Sequence, residues 1–240
     1  MPEIRLNKYL AENAGVSRRE ADRLIETGAV SVNGMTAGLG MKIDDTDDKV
    51  ELDGQCVSKR KESHFFAVNK PVGYISSTVK QAENDRLVTE LVKSDVRLFP
   101  MGRLDKDSEG LIILTDDGDL MDKVLRARNG HEKEYEVGLS RDISDDDISA
   151  IAAGGLDIGE GRLTKPCRIT RIDRRHARVV LKEGMNRQIR KMFDLYGYEV
   201  KHLKRIRFLN IRLGAMQPGE YRALSEREIE TMRKDAEGKG

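Results

Sequence analysis

Three segments of the chain alternate apolar and polar side chains, as a β-strand does when one face is buried and the other is wet. They are residues 134–139, 177–182 and 209–213. Strands of this kind are commonest in antiparallel sheets, because such sheets often keep one face in solvent. Helical patterns lie between these segments. The sequence therefore predicts an α+β fold with a mainly antiparallel sheet flanked by helices.

The first sixty residues have a pattern of their own, with two helices followed by short strands. Apolar residues at helical spacing begin at Ile4 and end before Gly15. Ser17 and Glu20 are spaced as a capping box for the second helix, because the hydroxyl of a serine can accept a backbone N–H of the next turn. Asn33-Gly34 predicts a tight hairpin turn. We expect a small domain here.

A short polar run separates this domain from the rest of the chain. The run Ser58–Ser63 contains no apolar residue, and an apolar strand pattern begins directly after it at Phe65. Polar runs between two core-forming patterns are typical of linkers. We therefore expect one domain at residues 1–60 and a second, larger domain at residues 64–235.

Composition excludes several classes of protein. No apolar run among the 240 residues approaches the ~18 that a membrane span needs. Cys56 and Cys167 have no redox or ligand spacing, so we expect free thiols in a reducing cytoplasm. The four histidines are scattered and make no ligand pair, so we expect no metal site.

The charge of the chain is unevenly distributed, although its net value is only +1. Residues 165–212 contain fifteen Lys and Arg but four Asp and Glu, whereas acids concentrate at residues 44–53 and 142–147. Such asymmetry is typical of a protein with one phosphate-binding surface. The alternative is a set of solvated strand faces that point in different directions.

One segment of this basic stretch, Met185–Tyr196, is amphipathic at helical spacing. Its apolar face consists of Ile189, Met192, Phe193 and Tyr196, and its opposite face of Arg187, Arg190 and Lys191. The apolar face is expected to enter the core. The three cations are either a solvated face or the wall of a site.

A single carboxylate stands in a glycine-bounded loop in the middle of the chain. The run is Gly102-Arg103-Leu104-Asp105, then four residues, then Gly110 and an apolar strand pattern. Arg103 and Lys106 flank Asp105, and cationic neighbours favour the ionised form of a carboxyl group. Loops held by strands often carry catalytic groups. An ordinary surface turn with an ion pair is the alternative.

This run resembles the catalytic motif of the RNA pseudouridine synthases. Three further segments resemble motifs of that family in the same order: Lys70–Gly73, Lys133–Tyr135 and Asn186–Met192. The N-terminal residues resemble its small alpha-L (S4-like) RNA-binding domain, a pairing found in the RsuA-type branch. Within that branch the motifs are most similar to the RluF subgroup. The resemblance covers about residues 4–230 and implies a mixed, mainly antiparallel sheet.

The resemblance implies an isomerisation of uridine within RNA. The bond from ribose C1′ to uracil N1 breaks, and C1′ is rejoined to C5, so no cofactor is expected. Asp105 would act either as a nucleophile at C1′ or as a base at C2′. The family places a cation for this carboxylate at the position of Arg190, and a tyrosine against the target base at that of Tyr135.

The resemblance also implies the RNA contacts of the protein. In the larger domain these come from Arg103, Leu104, Lys106, Arg187, Gln188 and Ile189. On the second helix of the small domain, Arg18, Arg19 and Arg23 are further RNA-binding candidates, or else ordinary surface charges. A uridine in folded RNA must be extruded before its sugar can react, and phosphate contacts can offset that cost.

The expected substrate is a uridine of large-subunit ribosomal RNA, with a tRNA anticodon stem-loop as a second one. We expect a monomer that works in the cytoplasm without a membrane or a metal. The alternative function is a non-catalytic RNA-binding factor in ribosome assembly, for which the small domain and the basic stretch would suffice.

Overall fold

The computed structural model describes residues 3–59, 62–126 and 130–237, and these form two compact units. The first contains the described residues up to His64, together with Ser94–Arg97 and Asp116–Gly118. The second contains the remaining described residues. The predicted domain limits stay predictions, and residues 60 and 61 of the predicted linker lie outside the described part.

The first unit combines two helices with short strands. In chain order its elements are β1 (Ile4–Arg5), α1 (Leu6–Asn13), α2 (Arg18–Glu26), β2 (Val30–Val32), β3 (Met35–Thr36), β4 (Lys42–Ile43), β5 (Val50–Leu52) and β6 (Gln55–Cys56). β1 pairs with β4, and the other strands form an antiparallel sheet in the order β3-β2-β5-β6. Apolar residues of both helices and of these strands share one core.

Local signals of the small domain are largely found in the structure. The hydroxyl of Ser17 accepts the N–H of Glu20 at 3.1 Å, which caps α2. Asn33 and Gly34 have φ of 53° and 79°, as a tight hairpin turn requires. The predicted start of the first helix is wrong by two residues, because Ile4 pairs with a strand before the helix begins.

The second unit is built on one large sheet. The strands of this unit are β7 (Phe65–Lys70), β8 (Tyr74–Ile75), β9 (Arg86–Leu87), β10 (Phe99–Pro100), β11 (Glu109–Thr115), β12 (Lys133–Leu139), β13 (Arg168–Arg171), β14 (His176–Leu181), β15 (Val200–Phe208), β16 (Ile211–Arg212) and β17 (Tyr221–Ala223). Of these, β8 and β9 form a parallel pair outside the large sheet. Its helices are α3 (Gly118–Leu125), α4 (Asp145–Ala153), α5 (Gln188–Asp194) and α6 (Glu226–Glu237), with a 3₁₀ turn at Val88–Leu91.

The large sheet is mixed and mainly antiparallel. Its strand order is β13-β14-β12-β15-β11-β7-β17, with β10 added to β11 and β16 added to β15. β11 and β15 are parallel, and the other described pairs of this sheet are antiparallel. The predicted α+β fold with a mixed sheet is confirmed. The predicted strand at 209–213 is shorter, because Leu209 has φ of 55° and begins a turn.

The central strand β11 is buried on both faces. Leu111 and Ile113 belong to a core with Leu120 of α3 and Met232 of α6, while Ile112 on the opposite face is also fully buried. A strand covered on both faces is a stable support for the loop that precedes it. No helix within the described residues has both the length and the hydropathy to cross a bilayer.

Candidate active site

Asp105 lies in the loop between β10 and β11, and neighbouring segments hold that loop in place. The N–H of Leu104 donates to Ser76 Oγ at 3.0 Å, and the same hydroxyl donates to the carbonyl of Leu104 at 2.8 Å. The N–H of Gly73 donates to the carbonyl of Lys106 at 2.7 Å. The backbone on both sides of Asp105 is therefore fixed by hydrogen bonds.

A buried lysine supports the end of this loop. Lys70 has no exposed surface, and its ammonium donates to the carbonyl oxygens of Ser108 at 2.6 Å and Pro71 at 3.0 Å. Burial lowers the pKa of Lys70 to about 8, and the charge of Asp105 opposes that shift. A cation from the first of the four motifs thus lies close enough to the Asp105 loop to feel its carboxylate.

Arg187 is the cation nearest to Asp105 within the described residues. Its Nη1 lies 3.8 Å from Asp105 Oδ2, and its two Nη atoms donate to the carboxylate of Asp107 at 3.2 and 2.9 Å. Burial raises the pKa of Asp107, but the hydrogen bonds and charges of Arg187 and Arg190 outweigh burial and hold that pKa below its usual value. Asp107 therefore fixes the guanidinium beside Asp105.

The backbone of Arg187 explains how it reaches this position. The predicted helix over 185–196 begins only at Gln188, and Arg187 precedes it with φ of 51° and ψ of 31°. This left-handed conformation costs an L-residue roughly 1 kcal/mol or more, and residues held in it cluster at functional sites. Arg187 thus departs from the predicted helix face and contacts the Asp105 loop.

Arg190 contacts Asp107 instead of the predicted Asp105. Its Nη2 donates to the carbonyl of Asp107 at 2.9 Å, its Nε lies 3.3 Å from the carboxylate of Asp107, and its Nη1 donates to the carbonyl of Val200 at 2.6 Å. Within the described residues no ion pair joins Arg190 to Asp105. The expected ion pair between Arg190 and Asp105 is therefore wrong. Because α5 begins only at Gln188, Arg187 precedes the helix and lies beside Asp105, while Arg190 within the helix contacts Asp107.

A cavity of about 490 Å³ opens in front of Asp105. Tyr135 lines it from β12 and is 9% exposed, so its ring is packed while it also borders the cavity. The structure therefore brings Asp105 and Tyr135 to one cavity, with Arg187 beside them. Arg190 is not among the residues that line it.

The other predicted contacts of the larger domain separate into two groups. Leu104, Gln188 and Ile189 are 6% exposed or less and line the cavity, so they can contact only a group that enters it. Arg103 and Lys106 are exposed instead, and Lys106 forms an ion pair of 2.9 Å with Asp85. These two side chains can reach RNA outside the cavity.

The three predicted arginines of the small domain lie on one helix. Arg18, Arg19 and Arg23 of α2 are all exposed, and Arg23 lies 3.5 Å from the carboxylate of Glu20. They belong to the first compact unit, whereas the cavity is lined by residues of the second.

One residue that lines the cavity, Arg205 of β15, is not among the site residues that the sequence predicts. It is 1% exposed, and its Nε donates to the carbonyl of Leu111 at 2.6 Å. Its Nη2 is buried and has no hydrogen-bond partner among the described residues. In the sequence, Arg205 is one of fifteen Lys and Arg in residues 165–212, and no motif or alternation drew attention to it.

The sequence is similar to known enzymes over nearly its full length. A family described as RNA pseudouridylate synthase matches residues 64–195, and the S4 domain matches residues 4–50. A protein of Escherichia coli O6:H1 named dual-specificity RNA pseudouridine synthase RluF is 44% identical over 228 residues, which are 94% of this chain and 77% of that protein.

Two further relatives have similar coverage. A protein of Bacillus subtilis named ribosomal large subunit pseudouridine synthase B is 32% identical over 95% of both chains. A solved structure titled pseudouridylate synthase is 30% identical, with a TM-score of 0.70 over 95% of this chain and 99% of that one.

Proposed function

Since this chain belongs to the RNA pseudouridylate synthase family, whose members isomerise uridine to pseudouridine, we propose that the reaction takes place in the Asp105 cavity. The observation that carries this proposal is the joint presence of Asp105, Tyr135 and a fixed arginine at one cavity. A non-catalytic RNA-binding role would give this arrangement no use.

Asp105 is the proposed catalytic carboxylate. It attacks C1′ of the ribose as a nucleophile or takes the proton from C2′ as a base, and both roles require the ionised form. The guanidinium of Arg187 lies 3.8 Å from Asp105 Oδ2, so a positive charge faces the proposed catalytic carboxylate. The reaction redistributes bonds within the substrate, so it needs no external redox or group-transfer cofactor.

Arg190 is proposed as a positioning residue. It binds both the carbonyl and the carboxylate of Asp107, and Asp107 in turn holds Arg187. Such a chain of contacts fixes the direction of the guanidinium that faces Asp105. Tyr135 is proposed to lie against the uracil ring, since its buried aromatic face borders the cavity.

The proposed substrate is a uridine of large-subunit ribosomal RNA, with a tRNA stem-loop as a second substrate. The names of two relatives support this, one as a large-subunit enzyme and the other as an enzyme of dual specificity. A cavity of about 490 Å³ suits one extruded nucleotide rather than a duplex. Exposed Arg103 and Lys106, and the arginines of α2, are proposed to hold the surrounding phosphates. We propose a monomer.

The test is Asp105→Asn, with the exposed Asp122→Asn of α3 as the matched control. A transcript labelled with tritium at uridine C5 releases label when C5 is joined to C1′. We expect Asp105→Asn to bind RNA as the unchanged protein does and to release no label, while Asp122→Asn retains full activity. Label release by Asp105→Asn would contradict the proposed role.

The substrate is tested separately by mapping. Pseudouridine positions in ribosomal RNA and tRNA are compared between cells that contain and cells that lack this protein. Loss of a position in large-subunit ribosomal RNA is expected. An unchanged pattern in both RNA classes would contradict the proposed substrate.

A further inference from the structure

Arg205 is a buried cation without a counter-ion in the described part of the chain. The only hydrogen bond found there for its guanidinium is the one from Nε to the carbonyl of Leu111, and its Nη2 has no partner. The next arginine of the same strand, Arg207, is bound at 2.8 and 2.7 Å by the carboxylates of Glu132 and Glu134. Two arginines of one strand thus have opposite environments.

An unpaired buried guanidinium destabilises the folded state of a protein that has no ligand bound. Transfer of a charge out of water costs several kcal/mol unless an opposite charge or further hydrogen bonds compensate it. Lys133 also lines the cavity and adds a second cation. Its ammonium donates to the carbonyl of Glu183 at 3.4 Å and lies 6.0 Å from the centre of the Phe208 ring. A cavity of this kind is suited to a guest that carries negative charge.

The surroundings of Arg205 indicate which part of an RNA would enter the cavity. Arg205 is in register with Tyr135 on the neighbouring strand, and its guanidinium carbon lies 5.2 Å from the centre of the Phe208 ring. Aromatic walls suit a flat base. Arg103 and Arg187, which also line the cavity, are exposed, so phosphates that they contact can remain in solvent.

The reaction itself generates a negative charge on the base. When the C1′–N1 bond breaks, its electron pair stays with uracil and spreads over N1, O2 and O4. This holds whether Asp105 forms a bond to C1′ or removes the C2′ proton. Later C5 bonds to C1′ while the Asp105–C1′ bond breaks or, in the other route, while the proton taken by Asp105 returns to C2′. The C5 proton leaves and N1 gains a proton, so the product is an isomer of the substrate and Asp105 is regenerated.

We propose that Arg205 binds a carbonyl oxygen of the target uracil and stabilises the uracil anion formed when the C1′–N1 bond breaks. Donors placed where charge develops lower the barrier, because they need no reorganisation during the reaction. This proposal rests on the proposed function, as it requires a uridine in the Asp105 cavity. It assigns to Arg205 a catalytic role that is separate from the ion pairs around Asp107.

The first test compares Arg205→Met and Arg205→Lys with Arg222→Met under single-turnover conditions. Arg222 is a structural arginine of β17 that donates two hydrogen bonds to Glu228. We expect Arg205→Met to lower the rate constant about 10²–10³-fold with an unchanged Kd for RNA, and Arg205→Lys to recover part of it. Arg222→Met should lower the unfolding temperature but retain the rate.

The second test varies the leaving group. Fluorine at C5 stabilises the uracil anion, so RNA with 5-fluorouridine at the target should depend less on Arg205. The measurement is the loss of intact 5-fluorouridine after nuclease digestion, read by mass spectrometry. We expect the deficit of Arg205→Met to shrink at least about tenfold relative to uridine. An equal deficit on both substrates would assign Arg205 a structural role and overturn the proposal.

A third experiment tests whether Arg205 binds the base or a phosphate of the RNA. Neutral methylphosphonates replace the phosphates on either side of the target. If Arg205 held a phosphate, this change would slow the unchanged protein but not Arg205→Met, and the proposal would fail. If the unchanged protein converts no uridine at all, the proposed function fails instead. Conversion by Arg205→Met at an unaltered rate contradicts only the role of Arg205.

Discussion

The carbonyl oxygen of Arg205 lies 2.3 Å from the position that a Cβ on Gly110 would occupy. Gly110 also has φ of 103°, a conformation that side chains of L-residues rarely adopt. The close approach occurs where β11 and β15 pair in parallel, with Gly110 in register with Arg205. A glycine is therefore needed where the Asp105 loop enters the sheet.

Gly110→Ala should consequently be severely destabilising. We expect a loss of about 3 kcal/mol or more in the free energy of unfolding, because backbone rather than a flexible side chain opposes the added methyl group. Urea denaturation measures this loss. Gly118→Ala is the control, since a Cβ there meets no atom of the described residues within 4 Å. Equal stability of the two variants would contradict the close approach.

Asp107→Asn should slow the reaction without preventing RNA binding. The substitution removes the negative charge that holds Arg187 and Arg190, so the guanidinium beside Asp105 loses its fixed direction. Misplacement of a group at a reaction centre typically costs up to about a hundredfold. We expect kcat to fall about ten- to hundredfold with a small change in KM. An unchanged kcat would show that the pairing has no role in turnover.

Glu228→Gln should remove part of the acid sensitivity of the protein. Hydrogen bonds from Arg222 lower the pKa of Glu228 to about 2, against 4.5 for the free group. A lowered carboxyl pKa stabilises the fold above pH 4.5, and this contribution is lost as the pH falls from 4.5 to 2. We expect roughly 2 kcal/mol, measured by urea unfolding between pH 2.5 and 6. If the free energy of unfolding changed with pH equally in the unchanged protein and in Glu228→Gln, the lowered pKa would be contradicted.

Lys70→Met should change the alkaline side of the stability profile. The pKa of Lys70 is about 8 in the folded protein and 10.5 in the free group, so the unfolded chain binds the extra proton between these values. Stability therefore rises with pH from 8 to 10.5 in the unchanged protein. Relative to Lys70→Met the gain should be at most about 3 kcal/mol. A constant difference from pH 7 to 10.5 would contradict it.

The arginines of α2 should act through salt-dependent binding alone. Each phosphate contact adds about 0.7–0.9 to the slope of log K against log salt concentration. If Arg18, Arg19 and Arg23 each hold one phosphate, changing all three to Gln lowers the slope by about 2–3 and leaves the saturating rate constant unchanged. An unchanged slope would remove these residues from the RNA contacts.

Local sequence patterns predicted much of the fold and the identity of the loop that bears Asp105. Alternation predicted β12 and β14 because each exposes one face, and the glycine-bounded motif predicted the loop because its conformation depends on nearby residues. The resemblance to a family indicated Tyr135 as a candidate site residue. These features depend on local sequence or on a motif.

The features that the sequence did not predict depend on distant segments. Arg187 takes a left-handed conformation and pairs with Asp107, eighty residues earlier in the chain. A helical periodicity places Arg187 on the same face as Arg190 and cannot show that the helix begins only at Gln188, after Arg187. The isolation of Arg205 depends likewise on which strands flank β15, and strand order is a property of the whole sheet.

The insertion of β15 between β12 and β11 has a consequence for synthesis of the protein. Both neighbours precede it in the chain, so they can obtain this partner only after residues up to Phe208 have left the ribosome. Contacts between such distant segments form slowly compared with local ones. A nascent chain can therefore expose its amino-terminal unit long before the cavity beside Asp105 has a complete wall.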